Sequence, residues 1–115
     1  MTITEYAEQV DMWIKKVGIR YFDEKTNTLI LMEEVGEFAR LISRIYGEQS
    51  FKSGTEPNDQ IAALEDEWAD ILFVLTCLAN QTGIDINRAI SNNIAKKTER
   101  DQNRHKNNKK LMQKK

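Results

Sequence analysis

The sequence predicts an all-α fold, a four-helix bundle that assembles as an oligomer, and three observations predict it. Apolar residues recur at helical spacing through most of the chain. No stretch alternates apolar and polar residues for more than a few positions, so strand signals are weak. A single proline, Pro57, and five glycines leave few breakers. At 115 residues the chain suffices for one domain with a modest core and is too short for two.

The first helix is expected over about residues 4–17, with Thr4 as N-cap and Tyr6, Val10, Trp13, Ile14 and Val17 recurring on one face. Gly18 should close it, as a residue tolerant of positive φ. After the connector IRYFDEKT, a second helix should run over about residues 27–46, ending at Gly47 with Arg44 in its last turn. Residues 48–59 hold Ser50, Ser53, Gly54, Pro57 and Asn58 and form the one clear loop. The third helix is expected over about residues 59–81, stopped by Gly83; the fourth starts at the N-cap Asp85 and continues to at least residue 104. Residues 1–104 thus read as one helical domain, and 105–115 as a basic tail with little to bury and a tendency to fray. Trp13 and Trp68 have apolar helical neighbours and are expected in the core.

The third helix contains ILFVL, residues 71–75. Five consecutive apolar positions sweep about 400° and leave no face of that turn for water. One helix among four rarely has neighbours on every side, so a second subunit is expected to cover the remaining face.

The net charge of −1 hides an asymmetry: residues 1–95 carry sixteen of the eighteen acids and eight of the seventeen bases, whereas residues 96–115 carry nine bases and two acids. The acidic body would repel a polyanion, which argues against a nucleic-acid polymer as partner. Cys77 is alone in an apolar run, so no disulfide or CxxC metal site can form within the chain. The N-terminal MTITEYAEQVDMW has early acids and no apolar core of a signal peptide, and the longest apolar run is too short to span a bilayer. A cytoplasmic location without membrane attachment is expected.

Two acidic clusters carry most of the chemistry: Glu33, Glu34 and Glu37 within LILMEEVGEFARLI, and Glu67 and Asp70 within AALEDEWADILFVL. Glu33 and Glu37 fall one turn apart on a helix, as do Glu67 and Asp70. Carboxylates on apolar helix faces repel one another and lose hydration, so they need a compensating cation. Two helices presenting such pairs to each other make an oxygen-only cage suited to Mg²⁺, with Mn²⁺ as the alternative. Asn93, Lys96 and Arg100 share one face of the fourth helix, an arrangement suited to a polyphosphate chain. The single histidine, His105, sits in the tail, which rules out the paired Glu-x-x-His motifs of a di-iron bundle.

The order EExxE, then ExxD within DEWADILF, then NxxKxxxR resembles the MazG-like nucleotide pyrophosphohydrolases of the all-α NTP pyrophosphohydrolase superfamily. The resemblance extends from Tyr21–Phe22 to about Arg104. It implies a divalent-cation-dependent enzyme that cleaves a (d)NTP to (d)NMP and pyrophosphate, with a housecleaning role in the nucleotide pool. It implies that Glu33 or Glu34, Glu37, Glu67 and Asp70 hold the metal, with Glu34 and Glu37 as the catalytic carboxylates. Asn93, Lys96 and Arg100 are expected to bind substrate, and the assembly to be a homodimer or homotetramer. Within the superfamily, a phosphoribosyl-ATP pyrophosphohydrolase is an alternative substrate assignment. The non-catalytic alternative is a helical module that binds protein or nucleic acid. The base pocket stays open among Trp13, Tyr21, Phe22 and Trp68.

Overall fold

Four side-chain caps set where the helices begin. The computed structural model describes residues 1–112, with α1 over Ile3–Trp13, α2 over Glu24–Ile45, α3 over Gln60–Thr82 and α4 over Ile86–Asp101. Thr2, Asp23, Asp59 and Asp85 hold extended backbone, and each side chain accepts the N–H three residues on. No strand occurs among the described residues. The fold is all-α, as the sequence predicts.

Several boundaries differ from expectation. Thr2, not Thr4, caps α1, so the helix starts nearer the terminus. Asp23 starts α2 about a turn early, because the acid in the expected connector is itself a cap. Beyond α1 the chain widens into a π-helical turn over Ile14–Gly18. Positive φ then falls on Ile19 (φ 74°) and not on Gly18. The Arg20 N–H donates to the Gly18 carbonyl at 2.9 Å, closing a γ-turn around that isoleucine. The turn redirects the chain so that the Tyr21 hydroxyl donates to Asp11 at 2.6 Å and receives the Asn80 amide at 3.1 Å. Such a conformation at a β-branched residue costs on the order of 1–3 kcal/mol. Finally, α4 stops at Asp101 and not beyond residue 104. Asp101 gathers Arg100 and Arg104 (2.8 and 3.5 Å), and the polar residues after it have no apolar face to dock. A short 3₁₀ turn follows at Lys109–Met112; residues 113–115 of the expected tail lie outside the described residues.

The long helices α2 and α3 pack as an antiparallel hairpin, which is the main contact of the protomer. Its register is set at one end by Asn27, 5 % exposed, whose amide donates to Gln81 Oε1 at 2.8 Å and to the Phe22 carbonyl at 3.3 Å. A buried amide with both partners satisfied tolerates no slippage. Helix α1 lies against α3, where Val10, Ile14 and Cys77 are buried and Tyr6, Tyr21 and Phe73 pack around them. The Asn80 amide also donates to the Ala7 carbonyl at 3.0 Å, tying α1 to α3. Trp13 and Trp68 are not core residues: they are 49 % and 57 % exposed, and Trp13 meets Phe73 edge to face. A four-residue apolar neighbourhood on a helix does not guarantee a neighbouring helix.

Helix α4 contacts the protomer mainly through α1 and projects from it. The radius of gyration is 18.3 Å, against roughly 13 Å for a compact chain of this length.

Two glycines, Gly36 within α2 and Gly47 just past its end, test the packing in opposite directions. A Cβ at Gly47 would lie 2.5 Å from the Ser43 carbonyl oxygen, whereas one at Gly36 would meet nothing within 4 Å. Gly47→Ala should lower stability by about 1–3 kcal/mol, and Gly36→Ala should raise it by about 0.5–1 kcal/mol. Urea denaturation of both variants checks this; an unchanged Gly47→Ala would mean that the end of α2 has slack.

Candidate metal centre

The hairpin register brings the two acidic clusters together. Two turns inward from Asn27, the buried stripe of α2 (Asn27, Ile30, Leu31, Glu34, Phe38, Leu41) reaches Glu34. Three to four turns inward from Gln81, α3 reaches Asp70 and Glu67. One oxygen each from Glu34, Glu67 and Asp70 lies within 4.8 Å of the others, and all three residues are half-buried. Helical phase explains the choice of Glu34 over Glu33. Glu33 sits about 100° off the buried stripe and is exposed. The structure therefore does not bring Glu33 into the cluster, and the face shared by Glu33 and Glu37 is the flank of the site and not its floor. Glu37 adjoins the trio from that flank, near enough for its charge to raise the carboxyls of Glu34, Glu67 and Asp70.

The electrostatics are those of crowded acids. Burial, then the hydrogen bond and charge of Glu37, then Asp70 and Glu34, push the Glu67 carboxyl up to about 7. Glu34 is raised by burial, then by Glu37 and Asp70. Asp70 is raised by burial, then by Asp66 and Glu37. None of the three carboxyls is held down by a neighbouring base. Glu34 Oε2 and Glu67 Oε2 are also buried without a hydrogen-bond partner. Two orphaned acceptors facing a third carboxylate are the donor set of a hard divalent cation.

Elsewhere the expected site residues are dispersed. Asn93, Lys96 and Arg100 are exposed on α4, away from the hairpin, and Arg100 grips Asp101 with two hydrogen bonds of 3.1 and 2.8 Å. Of the candidate base-stacking residues, Tyr21 is committed to Asp11 and Asn80. Trp68 lines a shallow apolar cleft of about 460 Å³ with Phe38, Ile61 and Leu64, which contains none of the clustered carboxylates. The larger cleft, about 820 Å³ between α1 and the α3–α4 junction, is remote from them too. Cys77 is buried and free, and burial pushes its thiol up to about 11, so it is inert packing. The sequence marks Tyr6 only as a residue on the apolar face of α1; in the fold it packs beside Cys77, and burial, then the charges of Cys77 and Asp70, raise its hydroxyl. No sequence motif marks it, because α1 reaches the site only through tertiary packing.

An all-α hairpin that brings three half-buried carboxylates together is a candidate site for a divalent cation. Residues 22–105 match the family of the MazG nucleotide pyrophosphohydrolase domain. The uncharacterised protein YpjD of Bacillus subtilis (strain 168) is 35 % identical over 103 residues, 90 % of this chain and 89 % of YpjD. The crystal structure of YpjD from Bacillus subtilis superposes with a TM-score of 0.72 at 32 % identity, covering 84 % of this chain and 94 % of that one. The crystal structure of the Bacillus-conserved MazG protein, a nucleotide pyrophosphohydrolase, superposes with a TM-score of 0.69 at 30 % identity, covering 84 % and 88 %. This chain belongs to the MazG nucleotide pyrophosphohydrolase family. Membership assigns it pyrophosphohydrolase chemistry on nucleotides. No helix among the described residues is long and apolar enough to cross a membrane.

The raised carboxyls fix a sign for the pH dependence. An acid whose folded-state value lies above its unfolded value makes the folded state bind more protons, so stability falls as pH rises between the two. For Glu67 that window runs from the ordinary glutamate range near 4.5 to about 7. In the presence of a chelator, the melting temperature should therefore drop as pH rises across this window, and Glu67→Gln should flatten the drop. A chelated protein that becomes more stable across the window would contradict the crowded-acid description.

Proposed function

We propose that this protein is a Mg²⁺-dependent (d)NTP pyrophosphohydrolase, releasing (d)NMP and pyrophosphate in a housecleaning role, with Mn²⁺ able to substitute. The observation that carries the reading is the meeting of Glu34, Glu67 and Asp70 with two buried oxygens unpartnered. These three residues would hold the cation. Bound there, the ion would offset charge on the phosphates and acidify a water. Glu37, exposed on the flank beside Glu34 and Glu67, is suited to take the proton of the water that attacks phosphorus. Glu33, one turn before Glu37 and exposed, would act on the ion only through water. The catalytic unit is residues 1–104, with 105–115 as a basic appendage.

The same reading calls for an oligomer. The accessible surface is 9432 Å², whereas a compact monomer of this mass exposes about 6,500 Å². The excess exceeds that of a standard-size interface. Exposed apolar groups support covering by a second copy: Leu75 in the ILFVL turn is 46 % exposed, and Ile90 and Ile94 on α4 are 50 % and 60 % exposed. Asn93, Lys96 and Arg100 lie beside that isoleucine stripe. Their substrate-binding role rests on the run of two cations and an amide on one helix face, which suits a polyphosphate chain. A homodimer or homotetramer would cover the apolar groups. Leu75→Glu should shift the protein towards monomer or unfold it. Sedimentation showing that the wild type is a folded, active monomer at micromolar concentration would remove this part of the proposal.

Catalysis is tested by turnover of a (d)NTP panel with Mg²⁺, reading pyrophosphate and mononucleotide. Glu67→Gln and Asp70→Asn should each abolish most turnover while the helical circular dichroism is kept, since each relieves repulsion in the metal-free site but removes a ligand from the loaded one. Release of nucleoside diphosphate and orthophosphate, or full turnover in both variants, would overturn the reading.

A further inference from the structure

The flank of α2 that carries Glu37 continues past the carboxylates into two arginines. Glu33, Glu37, Arg40 and Arg44 follow one another at spacings of four, three and four residues, which keeps them on one stripe of the helix. Arg44 lies two turns beyond Glu37, roughly 10 Å along the axis. It is half-buried, and its Nε is enclosed without a hydrogen-bond partner. It forms no ion pair among the described residues, although the pairs that do form engage Lys15, Arg100 and Arg104. A cation in the last turn also complements the helix dipole, but that role needs only a guanidinium in solvent and does not require a buried nitrogen. An enclosed, unsatisfied guanidinium donor loses hydration with nothing in return unless an acceptor arrives.

Resting on the functional reading above, we infer that Arg44 is a substrate-binding residue that receives the departing pyrophosphate moiety of the nucleotide. The carboxylate trio offers acceptors only, so it can hold the polyphosphate through a cation but cannot grip its far end. The cations of α4 are exposed away from the hairpin of their own protomer, whereas Arg44 belongs to the helix that carries Glu34 and Glu37. Arg44 stands on the same helix stripe as Glu37, too far to pair with the carboxylates and at a spacing that a metal-held pyrophosphate can bridge. A planar fork of donors matches phosphoryl oxygens in two-point contact, which a lysine cannot reproduce. The nucleoside is then directed away from the C-terminal end of α2.

Calorimetric titration of the full chain with inorganic pyrophosphate in Mg²⁺, and separately with the mononucleotide product, tests this. Arg44→Gln should weaken pyrophosphate binding roughly 10- to 100-fold and raise the KM for the triphosphate more than it lowers kcat. Mononucleotide binding should be unchanged, and Arg44→Lys should be intermediate. Equal pyrophosphate binding by wild type and Arg44→Gln would overturn the inference. So would an equal loss of mononucleotide binding, which would put Arg44 at the nucleoside end or make it structural. If Arg44→Gln fails to fold by circular dichroism, the wild type against Arg44→Lys comparison decides on the same readouts. A wild type that binds no pyrophosphate in Mg²⁺ also overturns it. Failure of the functional reading is separate: the wild type would then release no pyrophosphate from any (d)NTP.

Discussion

Desolvated negative charge in the α2–α3 seam is the constraint on which the rest of the molecule depends. Glu34, Glu67 and Asp70 converge where an ordinary helical hairpin would place leucines. Their repulsion and lost hydration oppose folding, and no base among their neighbours offsets it. Something else must hold the helices in register. Asn27 and Gln81 do so at one end, where a buried amide pair permits a single alignment. A cation in the site would convert the opposing charges into ligands, so metal binding and closure of the hairpin reinforce one another.

The supporting structure is slight. The buried apolar set comprises Val10, Ile14, Val74, Cys77 and Ala79, centred on the α1–α3 contact and not on the hairpin. Helix α1 acts as a buttress: Asp11, Tyr21 and Asn80 join three segments through one hydroxyl. The strained backbone at Ile19 is what allows Tyr21 to reach that position. Burial next to Asp11 pushes the Tyr21 hydroxyl up to about 12, which keeps it a donor throughout the ordinary pH range. The assembly proposed to cover Leu75, Ile90 and Ile94 would supply part of the stability that so small a core lacks.

Charge is distributed along the molecule as the chemistry demands. Acids line the hairpin, and bases follow on α4 and beyond, so that neither alone suits a polyphosphate. The stripe on α2 is the exception, passing within one helix from Glu33 and Glu37 to Arg40 and Arg44. Under the proposed assignment, such a succession would give a bound nucleotide a direction, with metal-held phosphate at one end and a guanidinium at the other.

The sequence by itself determined the helical class, the four helices, the start of the third near Asp59, the acidic cap at Asp85, the stop at Gly83 and the two acidic clusters. These are local properties: periodicity, cap chemistry and left-handed glycine are each set within one or two turns. Tertiary structure decided which acids meet. Glu33 and Glu34 are equivalent in a motif, and only the phase of the buried stripe through Asn27, Leu31 and Phe38 turns Glu34 inward and leaves Glu33 exposed. It also decided that Trp13 and Trp68 are surface groups, because exposure depends on where α1 and α4 lie and not on neighbours in sequence. The same holds for the surroundings of Tyr6 and Arg44: spacing gives their helix face, and packing gives what they meet. Helical phase is legible in a sequence; the direction from which the next helix arrives is set by packing across the whole chain.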